Sequence, residues 1–528
     1  MPARPVRMAN TRRRLARTGR VHHQPLSATA VRLLTCAVLI VATQSVYAAG
    51  AWVEIKSPLL SVITDAGDKQ GREVARRFEQ MRSVFSQLLL SGRAGTPAPL
   101  TIFAFRNTRD VRAHSPQWKG KPVELSGYFQ QGQDRNFIIL DLSAQQRWRV
   151  VFHEYTHLLM NSSLQQRPPW FEEGIAEFFS TLSIEGDTAD IGSAPEGQLQ
   201  FLSVNQLMPV EQLFAVRRDS SIYNESGDHR SLFYAQSWLL VHYLMDKKLL
   251  SKVDDYVANR NNGASVSEAC LQAWGMSALS LDRELKEYLT GAHVAGSRVK
   301  LTIETAKPNY YSRALDRTDV DAELADLHMH MPDRRERARA EFEAVLERKP
   351  DQPVANRGLG YLQLANDDVE LAAAAFQRAA AADSKDPYVH YYAGLLRLHA
   401  GSHTPEQIAS GRRELEQAVA LNPGMADAHA TLGRLCAMDG DYETAASALR
   451  QALLLKPREE RYVLGLANIL MLQKQWDAAE SLLRPLEKSE APEISSEAEE
   501  AVVFIAELKQ IPPDTVRVVG NQIIFPER

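Results

Sequence analysis

The stretch that decides the fold is WRVVFHEYTHLLMNSSLQQRPPWFEEGIAEF, residues 148–178. One apolar stripe runs through Trp148, Val151, Phe152, Tyr155, Leu158 and Leu159, and a second through Phe171, Ile175, Phe178 and, just beyond, Leu182. Recurrence at three and four residues is the signature of a helix with one buried face. Pro168-Pro169 separates the two stripes, and proline suits the first turn of the helix that follows. Ser143-Ala144-Gln145-Gln146 has the S-x-x-Q form of a capping box, which places the start of the first helix at Ser143.

The polar residues left over on these helices are not random. His153 and His157 are four apart, so they project from one side of the first helix one turn apart. Two imidazoles at this spacing can hold one zinc ion, and Glu154 beside them can act as base toward water. Fifteen residues intervene before Glu173, and Glu173 and Glu177 are again four apart. A catalytic zinc takes three protein ligands and keeps one position open, so one of these carboxylates would complete a two-His, one-Glu set. Gly174 removes a side chain where the two helices approach. The competing interpretation of Glu172, Glu173 and Glu177 is a solvent-facing acidic stripe.

Working outward, the segment before the helices contains more strand than helix. Trp52–Ile55, Leu59–Thr64, Leu100–Phe105, Glu124–Phe129 and Asn136–Leu142 predict strands, the last two paired through the turn-prone Gln131-Gly132-Gln133-Asp134. Gly71–Leu90 predicts an amphipathic helix. Downstream, Leu182–Gly192 predicts a hairpin, and helices follow over 206–216, 231–245, 264–274 and 279–290. Strands and one helix, then mostly helices, is an α+β order.

His153-Glu154-x-x-His157 followed by Trp170-x-x-Glu173-Gly174-x-Ala176-Glu177 resembles the gluzincin zinc metallopeptidases, in particular their small, exported, peptidase-MA-like members. The resemblance spans residues 50–292 and implies a zincin-like fold. It implies His153, His157 and Glu173 as zinc ligands, Glu154 as general base, and Glu177 as the carboxylate that orients a ligand histidine through its ring N–H. It further implies that substrate lies extended along the strand ending near Leu142. A Tyr or His after the third ligand would stabilise the oxyanion; Tyr234 is the candidate, with Tyr223 and His229 behind it. No G-x-M-E-N segment precedes the motif and the interval to Glu173 is short, so an aminopeptidase is not expected.

After a linker over 293–317, containing a strand at 299–303, the composition turns rich in alanine and leucine. Prolines recur at 350, 387, 423 and 457, with Gly360, Gly394, Gly433 and Gly465 seven to ten residues behind them. A period near 34 with this order resembles tetratricopeptide repeats, about five over 318–510, with Thr404-Pro405-Glu406-Gln407 as a small insertion. Such helix pairs stack into an all-α solenoid whose groove would take a substrate or partner protein. A β-prone tail fills 511–528.

The N-terminus carries eight arginines and no acid over residues 1–32, an apolar run over Leu33–Thr43, and Val46-Tyr47-Ala48-Ala49. This is the pattern of a secretory signal over 1–48, too short to span a bilayer. The expectation is a periplasmic or secreted protein without a stable membrane span, the alternative being anchoring by an uncleaved signal. The whole chain has a net charge of −4. Without the leader it falls to about −12, and with no basic stripe nucleic acid is not an expected partner. With three cysteines in separate segments, a disulfide framework is not expected. The alternative to an enzyme is a repeat-based assembly protein of the cell envelope in which the zinc site is structural or vestigial.

Overall fold

A computed structural model of the chain describes residues 51–90, 99–118, 121–132, 134–163, 167–220, 223, 228–291, 294, 296–300, 310–382, 384–399, 404–512, 515–519 and 522–524. The leader, 1–48, lies outside the described residues. The first half is an α+β domain and the second an all-helical repeat array.

The α+β domain is built on a six-stranded sheet. Strands β1 (Trp52–Lys56) and β2 (Leu60–Thr64) precede helix α1 (Asp68–Leu89). Then come β3 (Leu100–Phe105), α2 (Thr108–His114), β4 (Gly127–Gln130) and β5 (Asn136–Asp141). Helices α3 (Arg147–Ser163), α4 (Pro169–Ser180) and α5 (Asp228–Asp246) follow, then strand β6 (Tyr311–Leu315). The strand order is β6-β1-β2-β3-β5-β4. Strands β2, β3 and β5 run parallel, and the rest pair antiparallel.

Strands β3 and β5 are buried at every residue, which is why each is a continuous apolar run rather than an alternating one. Ile102, Ala104, Ile138 and Leu140 face α1 and α3 in the main core. Phe103, Phe105, Phe137 and Ile139 face the opposite way, against Val320, Leu324 and Leu327. Those last three lie on α6 (Arg317–Met329), the first helix of the repeat array. The sheet is thus closed on its second face by the repeats, and the two halves share a core.

Three expectations are corrected. The helix begins at Arg147 rather than Ser143, because buried Asp141 takes both groups the cap would need. Its Oδ1 accepts from the Ser143 backbone N–H at 2.8 Å and from Ser143 Oγ at 2.5 Å. Strand β5 is interior; the sheet edge on that side is β4. Residues 311–315, read as linker, form β6 against β1. The expected hairpin and the strand near 299 do form, Ser183–Glu185, Thr188–Ile191 and Ser297–Lys300 making a small separate sheet.

The repeats are five helix pairs and a closing helix among the described residues. The first pair is α6 with α7 (Arg335–Arg348) and the second α8 (Pro353–Leu364) with α9 (Val369–Ala381). The others start at Pro387, Ala426 and Glu460, with Pro492–Leu508 closing the array. Within Thr404-Pro405-Glu406-Gln407, Thr404 and Gln407 form a capping box that opens helix Pro405–Leu421. In the tail, Arg517–Val519 and Gln522–Ile524 pair as a hairpin.

Polar residues of α6 are buried between the halves. Arg135, in the β4–β5 connection, donates to Glu323 Oε2 at 2.7 Å and to Asp326. Arg357 of α8 reaches Asp134 Oδ2 at 3.3 Å and also pairs with Asp326 and Asp386. Tyr361 donates to Asp134 Oδ2 at 2.6 Å. His114 Nδ1 lies 3.1 Å from His328 Nε2, whose Nδ1 meets Glu341 Oε2 at 2.7 Å. The connection behind edge strand β4 is therefore held by the repeats.

Candidate metal centre

The site forms where α3, α4 and α5 meet. Helix α3 lies on the sheet through Val151, and a Cβ on Gly127 of β4 would sit 2.4 Å from Val151 Cγ1. Only glycine lets the edge strand press this closely on the motif helix. A Cβ on Gly174 would meet Ser237 O at 2.5 Å and Val241 Cγ2 at 2.6 Å. The helix that Gly174 admits is therefore α5, not α3 as its position between the motifs suggested.

These close approaches bring His153, His157 and Glu173 together. The two Nε2 atoms are 3.2 Å apart, and Glu173 Oε2 lies 3.3 Å from His153 Nε2 and 3.4 Å from His157 Nε2. Glu173 is 2% exposed, and its Oε2 has no hydrogen-bond partner among the described residues. A buried carboxylate oxygen without a donor is strongly unfavourable unless a cation compensates it. Two imidazole nitrogens and one carboxylate oxygen converging on one point are the donor set of a zinc site with an open position. The residues present fit zinc.

The remaining carboxylates divide by partner. Glu177 Oε1 lies 3.3 Å from His153 Nδ1, and its Oε2 accepts from Arg149 at 3.4 Å. Holding the far nitrogen of a ligand imidazole fixes its tautomer and ring orientation. Glu172 is buried against Arg218, with contacts of 2.6 and 2.5 Å to its two oxygens. With Glu172 and Glu173 both buried, the solvent-facing acidic stripe is excluded. Glu154 is half-buried on the side of α3 toward β4. Burial raises the pKa of the Tyr128 phenol on that strand, and the Asp333 and Glu154 carboxylates add to the shift.

Burial disfavours a charge on His153, but the Glu173 and Glu177 carboxylates beside its two ring nitrogens outweigh it and push its pKa up to about 10. Glu173 is held far below the usual carboxylate range: burial opposes this, and the two histidines overcome it. In the metal-free chain a proton on His153 thus stands where a cation's charge belongs.

Of the oxyanion candidates, the Tyr234 ring stacks on the His153 ring at 6.1 Å and on Tyr223 at 6.4 Å. The Tyr223 hydroxyl donates to Glu173 Oε1 at 2.6 Å. Burial and the Glu173 charge keep that phenol protonated. Tyr223 is thereby engaged as a support of Glu173. The His229 side chain lies outside the described residues. The sequence reading missed Arg149 and Arg218. Arg149 carried a signal, being four residues before His153 on the same helix face; Arg218 carried none.

Comparison with known proteins follows the same division. Residues 94–291 match the family model described as Peptidase MA superfamily. Residues 333–387 and 406–453 match one tetratricopeptide-repeat family, and 437–496 match another. No curated protein matches the chain. Among solved structures, YrrB, "a TPR protein with an unusual peptide-binding site", is 18% identical. It covers 36% of this chain and 91% of its own, with a TM-score of 0.29. A thermophilic TPR protein from Thermus thermophilus is 20% identical, covers 35% and 99%, and has a TM-score of 0.26. MamA is 16% identical, covers 37% and 96%, and has a TM-score of 0.24.

Proposed function

We propose that this chain, a Peptidase MA superfamily domain followed by tetratricopeptide repeats, is an exported zinc-dependent peptidase. The observation that carries the reading is the buried Glu173 Oε2, facing two histidine nitrogens at 3.3 and 3.4 Å with no hydrogen bond of its own. His153, His157 and Glu173 would hold the zinc. Bound there, zinc would supply Lewis-acid polarisation and the acidification of water, lowering its pKa toward about 7.

The chain's own groups do the rest. Edge strand β4 offers its unpaired backbone to an extended peptide, which would add as a further strand. The Glu154 carboxylate takes a proton from the attacking water and delivers it to the amine nitrogen as the C–N bond breaks. The Tyr234 hydroxyl, its ring set against His153, donates to the oxygen that gains charge at the carbonyl. Glu177 keeps His153 in the tautomer that presents Nε2. The repeats supply a groove for a protein substrate or partner. Export to the periplasm or medium rests on the leader pattern. Among the described residues no helix is long and apolar enough to cross a membrane.

The test is metal content together with cleavage. Purified protein should hold one zinc, lose it on His157→Ala, and cleave unstructured protein until a chelator is added. Wild type without zinc would favour the assembly-protein reading.

A further inference from the structure

The two oxygens of Glu173 have unlike surroundings. Oε2 faces His153 Nε2 at 3.3 Å and His157 Nε2 at 3.4 Å. Oε1 accepts from the Tyr223 hydroxyl at 2.6 Å. That length is typical of a hydroxyl donating to a charged carboxylate, the stronger class of hydrogen bond. One oxygen is turned to the imidazoles, and the other is tied to the protein.

A carboxylate can give a metal one oxygen or both. In a site with few ligands the difference matters. With one nitrogen from each histidine and one oxygen from Glu173, a four-coordinate zinc keeps a position for water. A second oxygen from Glu173 would compete for that position.

Tyr223 is itself well held. Its backbone N–H donates to Ser220 O at 3.2 Å. Its ring meets Phe233 edge-on at 6.0 Å and stacks on Tyr234 at 6.4 Å, both residues of α5. A few residues earlier, Arg218 contacts both oxygens of Glu172, the residue before Glu173. Arg218 and Tyr223 thus grip successive carboxylates of α4.

We propose that Tyr223 is a positioning residue that sets how Glu173 ligates: by holding Oε1, it presents Oε2 alone to the metal. The inference rests on the peptidase reading above, and it moves Tyr223 from the oxyanion candidates to the support of a ligand. Phenylalanine at this position would keep the ring contacts and lose only the hydroxyl.

The experiment compares the full wild-type chain with Tyr223→Phe, each stripped of metal and reloaded with zinc or cobalt, with circular dichroism to check folding. The zinc dissociation constant, from competition with a chromophoric chelator, should rise about 10- to 100-fold, the usual cost of removing a ligand's hydrogen-bond partner. Cobalt reports the ligation itself, because its visible absorption weakens as coordination number rises. The wild-type spectrum should be intense, and the Tyr223→Phe spectrum weaker as Oε1 joins Oε2. A role for the ring alone would move neither reading. In wild type, the infrared difference between zinc-loaded and metal-free protein should show the wide splitting of carboxylate stretches that marks ligation by one oxygen. A narrow splitting overturns the inference without any variant. Zinc affinity and cobalt spectrum unmoved by Tyr223→Phe also overturn it and leave the peptidase standing, with Tyr223 back among the oxyanion donors if cleavage falls. A chain that takes up no metal in any preparation overturns both.

Discussion

Two buried clusters of ionisable groups lie in this protein, and they are solved in opposite ways. Between the halves, Arg135 and Arg357 alternate with Glu323, Asp326, Asp134 and Asp386, so each charged group meets an opposite one. At the metal centre, two histidines and Glu173 aim their acceptor atoms at one another. Taking charge out of water is affordable only with compensation. The first cluster contains its compensation and is structural. The second lacks it, holds a proton on His153 in its place, and so reads as a binding site.

Experiments can break or sharpen this contrast. The largest effect should come from Glu154→Gln, which removes the base but no ligand. Cleavage should fall by about 10,000-fold, the upper end for a positioned acid–base group, with zinc content unchanged by elemental analysis. Retained cleavage would refute the mechanism. Arg357→Met should act on stability instead. It removes one partner each from Asp326, Asp134 and Asp386, leaving Asp326 to Arg135 and Asp134 to the Tyr361 hydroxyl, and a broken buried pair costs about 3–5 kcal/mol. Urea unfolding should show that loss while the protein still binds one zinc. If stability is unmoved, the ionic cluster is not what joins the halves.

Gly174→Ala tests the packing that assembles the centre. Its Cβ would fall 2.5 Å from Ser237 O, and overpacking of this kind costs about 1–3 kcal/mol. Zinc affinity should weaken with stability, because Glu173 is the adjacent residue; an unchanged affinity would uncouple α5 from the site.

The smallest effect is a proton count. Folding raises the His153 pKa from 6.5 to about 10. It therefore stabilises the metal-free protein fully below 6.5, and that stability is lost as pH rises toward 10. Glu173, held low, contributes above its ordinary value of 4.5 and loses that in acid. Zinc needs neutral histidine, so its binding at about pH 7.5 should release at least one proton and tighten as pH rises. Calorimetry in buffers of different ionisation enthalpy measures this. Absence of release would mean that His153 is neutral before metal arrives.

The contrast also marks what the sequence could show. Helices α3 and α4 were legible because their apolar stripes recur at the helical period, and their polar faces stood out against them. The interior strands β3 and β5 were legible as apolar runs. Strand β6 was not, since Tyr311–Leu315 is largely exposed and pairs only because β1, more than 250 residues earlier in the chain, leaves an edge open. Ser143 looked like a helix cap until Asp141 claimed it. Glu323 and Asp326 are ordinary polar positions on α6 until Arg135 and Arg357 meet them.

The sequence by itself determined the site's chemistry. Spacing of four on a helix places His153 with His157 and Glu173 with Glu177, whatever the rest of the chain does. Tertiary structure alone decided how those pairs use their atoms: Glu173 toward the imidazoles, Glu177 behind His153, Tyr223 under Glu173, and α5 admitted at Gly174. Helical periodicity fixes which side chains share a face. Which face meets which is fixed by packing between elements far apart in the chain, where a missing Cβ or a buried countercharge settles the choice.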